Sequence, residues 1–299
     1  MKRTAYCKIN LTLEILGTDR PDGFHDLKTI MHKIPLGDVI ELEAKKGKGT
    51  IDFYCDSNVC DKEDNLAYKA AKMYFEKYKE NTGKSLDVTM KLFKVAPTGA
   101  GLGGGSADAA VVLDMLAETA GCVSESETLD MAKALGSDVP FCLGRYMSAY
   151  CTGRGEICEN IDTLPRNTHI VLAKPLEGIN TKGIYGEYEK EHGNDYSKSK
   201  SDDMIKALAN GTLCDIGENL VNDFEEVCIK RLFAIQEIKE ALIKNGAVCS
   251  QMSGSGSCVF GLFDDIQKAK SCGDALKKDG LEEVFVFSAD DFEKMYKGE

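Results

Sequence analysis

The sequence predicts an α+β chain of two domains, residues 1–160 and 161–299. Three observations predict it. An apolar–polar alternation of period two opens the chain. A glycine-rich loop over 97–107 runs straight into a helix with one apolar face. The second half then follows the order β-α-β-β-α-β. Period two buries one face of a strand, and recurrence near 3.6 buries one stripe of a helix, so each element can be justified in turn.

In TAYCKINLTLEIL the residues Ala5, Cys7, Ile9, Leu11, Leu13 and Ile15 alternate with Tyr6, Lys8, Asn10, Thr12 and Glu14. This pattern is a strand with one buried face, and Lys8 and Asn10 share the more polar one. Pro21-Asp22-Gly23 reads as a turn. Strands are expected near 38–44, 50–55 and 86–93, and a helix over 64–80 with Asn65 near its start. After the glycines, Ala109, Val112, Leu113, Leu116, Ala117 and Ala120 fall on one helical face. Ser106 is expected to cap this helix, with Asp108 in its first turn, where negative charge is favoured. A shorter helix over 126–135 ends in GSDVPF. THIVLAK (168–174) reads as a strand, and 221–247 contains a long amphipathic helix. VCSQM and CVFGLF are two strands separated by SGSGS, followed by a helix at about 264–278 and the strand EVFVFS (283–288). That order is the split βαβ arrangement of ferredoxin-like domains. Residues 180–215 form an insert, in which the polar stretch 190–203 is expected to be a mobile loop.

The chain has 299 residues, 43% hydrophobic and 29% charged, the composition of a protein with a sizeable core. No apolar run reaches the roughly 18 residues of a membrane span. Lys8, Asn10 and Glu14 interrupt the apolar N-terminus, which makes it a poor signal peptide. Twelve cysteines form no CxxC pair and there are only four histidines, so a metal site is not expected. Scattered cysteines without an export signal fit reduced thiols in the cytoplasm. A net charge of −12 speaks against general nucleic-acid binding, which depends on neutralising phosphates. Neither a nucleic-acid nor a membrane partner is expected, and the chain is expected to be a monomer or a weak homodimer. A local pocket for a small phosphorylated ligand remains open.

The loop APTGAGLGGGSADAA holds glycines at 99, 101, 103, 104 and 105. Glycine loses more backbone freedom on folding than any other residue, so such a cluster marks an odd turn or a close approach. Three motifs compete for it. A P-loop needs GxxxxGK[ST]; the sole GKS is Gly83-Lys84-Ser85, and the required first glycine position holds Tyr78. The dinucleotide fingerprint GxGxxG matches formally at Gly99, Gly101 and Gly104. Its context is wrong, because LDVTMKLF alternates like a half-exposed antiparallel strand and no acidic residue follows at the expected distance. The third form fits throughout. PTGAGLGGGSADAA resembles the P-x-x-x-G-L-G-x-S-S-A motif of the GHMP kinases, which include galactokinase, homoserine kinase and mevalonate kinase. Glycine amides turned inward and a helix N-terminus aimed at the same point form a site for phosphate oxygens. MSGSGSCVF (252–260) is similar to the third motif of that superfamily, and the strand carrying Lys8 to the first.

The extra glycine of GAGLGGGS, followed by DAA, is similar to the form found in the 4-diphosphocytidyl-2-C-methyl-D-erythritol kinase family. AYCKINLTLEILGTDRPDGFHDLKTI, DNLAYKAA, LGSDVPFCL, CTGRGE and INTKGIY resemble further segments of that family, so the resemblance covers nearly the whole chain. It implies a two-domain GHMP kinase fold, with an N-terminal ATP-binding domain of a type also found in ribosomal proteins and a ferredoxin-like C-terminal domain. It implies phosphorylation of the 2-hydroxyl of 4-diphosphocytidyl-2-C-methyl-D-erythritol by ATP with Mg2+, in non-mevalonate isoprenoid synthesis. Asp138 would be the general base, and Lys8 would support its charge and that of the transferred phosphoryl group. On pattern alone, Asp138 reads as a helix N-cap before Val139-Pro140 and Lys8 as a solvated strand residue; the resemblance reverses both. Pro97, Thr98, Gly99, Ala100, Gly101, Leu102, Gly103, Gly104, Gly105, Ser106 and Ala107 would hold the ATP phosphates, and Asn65 would lie near the adenine. Asn10, Phe24 and His25 would hold the substrate, Tyr185 would stack on its cytosine, and Thr181 would face the site. The chain departs from the family in having Phe24 for Tyr, Ala107 for the second Ser of the loop and Ala96 for a larger aliphatic residue. The alternatives are a sister kinase acting on homoserine or a mevalonate-type substrate, a non-catalytic binding protein and a nicotinamide-dependent enzyme.

Overall fold

The structure, a computed structural model of the chain, describes residues 1–17, 25–58, 60–178, 183–192 and 199–297. In chain order its first elements are β1 (Lys2–Gly17), β2 (Asp26–Gly47), β3 (Ile51–Cys55), α1 (Leu66–Thr82), β4 (Ser85–Phe93), α2 (Gly104–Ala120), α3 (Glu125–Leu135) and α4 (Val139–Leu143). Next come β5 (Ser148–Thr152), β6 (Ile157–Asn160), β7 (His169–Ala173), α5 (Ile184–His192), α6 (Ser201–Asn210), α7 (Leu213–Glu218), β8 (Val221–Asn222), α8 (Glu225–Arg231) and α9 (Ala234–Lys244). The chain ends in β9 (Cys249–Met252), β10 (Val259–Phe263), α10 (Ile266–Lys278), β11 (Val284–Phe287) and α11 (Ala289–Lys297). Among the described residues no helix is long and apolar enough to cross a membrane.

Two compact units are present. Unit 1 takes residues 1–8, 36–98 and 103–146; unit 2 takes 9–35, 99–102 and 147–299. The larger sheet has the order β3-β4-β2-β1-β8, with β5 paired to β2 and β6 to β5. The smaller sheet has the order β11-β7-β10-β9, the topology of a split βαβ domain, as the sequence predicts.

In unit 1, β4 pairs antiparallel with β2 from Val39↔Phe93 to Gly47↔Ser85 and parallel with β3. Its alternation puts Leu86, Val88, Met90 and Leu92 into the core. Against them lie α1, through Ala67, Ala70, Ala71, Tyr74 and Tyr78, and α2, through Ala109, Val112, Leu113 and Leu116. Alanines on both helices let the backbones approach closely. Gly83, with φ 68°, ends α1 in the left-handed conformation that glycine adopts without a Cβ clash. A capping box between Ser124 and Glu127 starts α3.

In unit 2, Val171 and Ala173 of β7, Val259 and Phe263 of β10, Ile235, Ile238 and Leu242 of α9 and Cys272 and Leu276 of α10 share one core with Phe224. Each fully buried aliphatic or phenyl side chain of this kind contributes roughly 1.5–3 kcal/mol.

Several expectations are corrected. The apolar face of β1 is buried, but its polar face is buried too: Lys8, Asn10, Thr12 and Glu14 are at most 3% exposed. In unit 2 distant residues satisfy it. Asn10 Nδ2 donates to Thr29 Oγ1 at 2.8 Å, Thr12 Oγ1 meets Ser201 Oγ at 3.1 Å, and Glu14 accepts from Lys200 N, Ser199 Oγ and Ser201 Oγ. The N-cap of α2 is Gly103 and not Ser106; its left-handed φ of 68° turns the chain into the helix three residues earlier. Asp108 lies beyond the first turn and is 2% exposed. The long helix of 221–247 is two helices, broken at Leu232 (φ −141°, ψ 91°) and Phe233, with no glycine or proline to announce it. Residues 190–192 complete α5 and 201–203 open α6, which narrows the polar loop; 193–198 lie outside the described residues, as does the Pro21-Asp22-Gly23 turn.

Candidate active site

Lys8 and Asp138 meet inside unit 1. Lys8 projects from β1, 3% exposed, and its Nζ lies 3.4 Å from Asp138 Oδ2. Asp138 occupies the N-cap position of α4, yet its side chain caps nothing there. Its carboxylate is one third exposed, while the lysine side chain is sealed. Of the two pattern-only readings, the solvated Lys8 fails, while Asp138 does stand at the helix N-cap position but turns its carboxylate to the lysine and makes no cap bond. A carboxylate open on one side and paired on the other can exchange a proton with a neighbouring group.

Gly103 stands directly over this pair. A Cβ there would come within 3.0 Å of Lys8 Cε and 3.5 Å of Asp138 Oδ2, at a φ of 68° that side chains rarely adopt. No side chain caps α2, and Ala107 N to Gly103 O, at 2.9 Å, is its first intrahelical bond. The amides of Gly104, Gly105 and Ser106 are thus the orphan donors at the positive end of a 17-residue helix. Such an end binds phosphate oxygens. A Cβ on the exposed Gly105 would touch Leu66 Cδ1 at 3.6 Å, which brings the start of α1 alongside. There Asn65 caps α1, its Oδ1 accepting from Ala67 N at 2.9 Å. Pro97 is buried and Thr98 exposed. Ala107 is 1% exposed and belongs to the core, so its side chain does not face the orphan amides.

A second cluster in unit 1 was not legible in the sequence. Lys94 Nζ bridges Asp38 Oδ2 and, at 2.8 Å, Asp108 Oδ2. Asp38 also accepts from Val95 N at 2.6 Å and Ala96 N at 2.8 Å, which fixes the chain just before Pro97. A Cβ on Gly104 would lie 3.6 Å from Asp38 Oδ2. One lysine faces two buried carboxylates. Burial raises the Asp108 acid to about 7; Lys94 opposes the rise and Asp38 adds to it. Asp108 Oδ1 has no hydrogen-bond partner, as expected where acceptors outnumber donors. The sequence pattern places Asp108 at a helix start and in the DAA run that resembles the family; nothing in it links Asp108 to Lys94.

Inside unit 2, residues 99–102 are held by the turn after β9. Cys258 N donates to Ala100 O at 3.2 Å, and Ser253 Oγ donates to Gly101 O at 3.1 Å. A Cβ on Gly101 would overlap Ser253 O at 2.0 Å. Gly99 and Gly101 both have left-handed φ, 62° and 73°, and Leu102 is buried. Asn222 Nδ2 braces the turn through Met252 O and Gly254 O at 2.9 and 2.8 Å. The MSGSGSCVF segment is thus a clamp on the first half of the glycine loop, a role visible in the sequence only as a hairpin-like turn.

The same unit brings His25 and Tyr185 together. Their ring centroids are 4.6 Å apart, and Tyr185 packs edge-on against Phe224 at 4.6 Å. His25 Nε2 lies 2.7 Å from Glu189 Oε1, a partner on α5 that sequence reading missed. Tyr185 stays 36% exposed. Asn10 is buried against Thr29. Phe24 and Thr181 lie outside the described residues. Among the described residues no group of three or more His, Cys, Asp or Glu side chains is arranged to hold a metal ion.

Comparison with known proteins matches residues 65–145 to the GHMP kinases N terminal domain and 204–281 to the GHMP kinases C terminal domain. A 4-diphosphocytidyl-2-C-methyl-D-erythritol kinase of Clostridium botulinum strain Kyoto is 38% identical over 288 residues, 96% of this chain and 99% of that protein. One from Caldanaerobacter subterraneus is 40% identical over 270 residues, 88% of each. A crystal structure of 4-(cytidine 5'-diphospho)-2C-methyl-D-erythritol kinase superposes with a TM-score of 0.77 at 30% identity, covering 96% of this chain and 98% of the other. The two-domain fold and the family expected from the motifs are both borne out. The chain belongs to the 4-diphosphocytidyl-2-C-methyl-D-erythritol kinase family of the GHMP kinases, and it is a small-molecule kinase.

Proposed function

We propose that this kinase transfers the γ-phosphoryl group of ATP to the 2-hydroxyl of 4-diphosphocytidyl-2-C-methyl-D-erythritol, a step of non-mevalonate isoprenoid precursor synthesis. The observation that carries the reading is the Lys8–Asp138 pair under Gly103, at the uncapped start of α2, in a chain matching a member of this family over 96% of its length. The hydroxyl oxygen bonds to the γ-phosphorus, the bond to the bridging oxygen of ADP breaks, and the hydroxyl proton passes to the Asp138 carboxylate. Phosphoryl transfer is mostly positioning and electrostatics, so a weakly basic carboxylate suffices when the proton moves late. The Lys8 ammonium offsets charge on the group in transit, and the amides of Gly104, Gly105 and Ser106 receive phosphate oxygens. Residues 97–102 shape the approach to those amides, and Asn65 marks the adenine side. Magnesium bound with the ATP phosphates would supply charge neutralisation, and the Ser106 hydroxyl is the candidate contact to it or to the phosphates. Asn10 and His25 hold the cytidine and erythritol portions. Tyr185 stacks on the cytosine, an interaction worth about 1–3 kcal/mol per base.

The test is ADP formation that depends on the cytidylyl substrate, with the phosphorus spectrum of the product locating the new ester. ADP formed with homoserine or mevalonate, and none with the cytidylyl compound, would overturn the substrate. Asp138→Asn is expected to abolish turnover while ATP still binds; unchanged turnover removes Asp138 from the base role.

A further inference from the structure

Unit 2 contains a cavity of about 480 Å³, lined by His32, Thr163, Leu164, Arg166, Thr168 and Phe292 among others. Its volume falls in the range of about 300–1,000 Å³ typical of small-molecule sites. None of these residues is used by the kinase reaction as derived above. Two features separate it from a packing void. His32 is 2% exposed, its Nδ1 lies 2.8 Å from Ser148 Oγ and 3.3 Å from Thr163 Oγ1, and its Nε2 has no partner. Thr168 is 3% exposed, and its Oγ1 has no partner either. Voids that stay empty in proteins are apolar, whereas buried polar atoms are almost always satisfied.

The chemistry of the lining narrows the occupant. Burial pushes the His32 imidazole down to about 3, so the ring is neutral and offers one polar nitrogen, not a charge. The Phe292 ring lies 5.7 Å from the His32 ring, centroid to centroid, and Leu164 is 6% exposed, so the walls are largely apolar. The two charged lining residues, Arg166 and Glu293, have opposite formal charges. We infer that this cavity is a binding site for a small uncharged molecule with a compact apolar body and one hydroxyl group. The body packs on Phe292 and Leu164, and the hydroxyl pairs with His32 Nε2 and Thr168 Oγ1.

The chain has no tryptophan, so Phe292→Trp places a single fluorophore in the cavity wall. Three non-fluorescent probes of one shape are titrated into that variant: cyclohexylmethanol, methylcyclohexane and cyclohexanecarboxylate. The alcohol is expected to shift the emission saturably and to bind about 3–10-fold tighter than the hydrocarbon, the equivalent of one net hydrogen bond. Adding Thr168→Val or His32→Phe should remove that advantage and leave the hydrocarbon's affinity unchanged. If Phe292→Trp perturbs the fold, amide NMR shifts of the wild-type chain at Thr168 and Phe292 replace the emission. Should His32→Phe fail to fold, Thr168→Val carries the comparison. No saturable response, or an alcohol and hydrocarbon that bind alike and ignore Thr168→Val, would overturn the site and leave a packing void. Tightest binding of the carboxylate would overturn the uncharged class.

Discussion

Two lysine–carboxylate clusters lie beside the first turn of α2, and they are built in opposite ways. Lys8 meets one carboxylate, Asp138, which keeps a third of its surface in solvent. Lys94 meets two, Asp38 and Asp108, both buried. Gly103 leans on the first cluster and Gly104 on the second. The same residue types thus leave a carboxylate open to solvent at one glycine and seal two away at the next, and under the proposed function that difference separates chemistry from scaffolding. An open carboxylate can exchange a proton with a substrate; a sealed one can only hold the backbone of 95 and 96 in place.

This contrast can be broken by experiment. The largest effect is expected from Lys94→Met, which leaves two buried carboxylates without their cation, a loss of about 3–5 kcal/mol. Thermal melting should fall by roughly 10 °C in a chain of this size. Lys8→Met should instead abolish turnover and move melting by a few degrees at most, because Asp138 can hydrate. Equal melting losses in the two variants would erase the distinction. Next comes Gly103→Ala, which forces a Cβ toward Lys8 at an unfavourable φ. Misplacing the pair is expected to lower kcat by about 100-fold with the fold retained, as steady-state kinetics and circular dichroism would show.

A smaller effect concerns pH. The Asp108 acid is raised from 3.8 to about 7, so between about pH 4 and pH 7 the folded chain holds a proton there that the unfolded chain has released. The stability contributed by this group therefore falls as pH rises through that window and stays low above it. Acidification from pH 8 to pH 5 should raise the melting temperature of the wild type relative to Asp108→Asn. Parallel melting curves would show that Lys94 keeps the acid in its ordinary range. The smallest effect is expected from Ala107→Ser. Its side chain lies in the core, away from the orphan amides, so the KM for ATP should change by less than about threefold, which initial-rate kinetics can check.

What was legible in the sequence divides along the same line. The alternation of β1, the glycine loop, the α1 and α2 faces and the split βαβ order follow from local periodicity, and all were readable. The burial of Lys8, Asn10, Thr12 and Glu14 was not, because their partners Asp138, Thr29 and Ser199–Ser201 are remote in sequence. Ser106 looked like the better N-cap by residue type; the left-handed turn at Gly103 overrode that preference. The break at Leu232 falls where no glycine or proline gives a local signal. Asp138 stood out only through family resemblance, since its position before Val139-Pro140 is equally that of a helix cap.

The interleaving of the two units has a consequence for how the chain is made. Unit 2 needs residues 9–35 and 99–102 as well as 147–299, so the earliest segments of the nascent chain wait for the latest. Synthesis exposes the apolar stripe of Ile9, Leu11, Leu13 and Ile15 before the strands and helices that bury it have left the ribosome. A cut after residue 146 would leave 147–299 without part of its own unit, and 1–146 with unit 1 whole but with the unit 2 segments 9–35 and 99–102 parted from their core. Folding of unit 2 is thus a non-local event along the chain, unlike that of a bead-like string of domains.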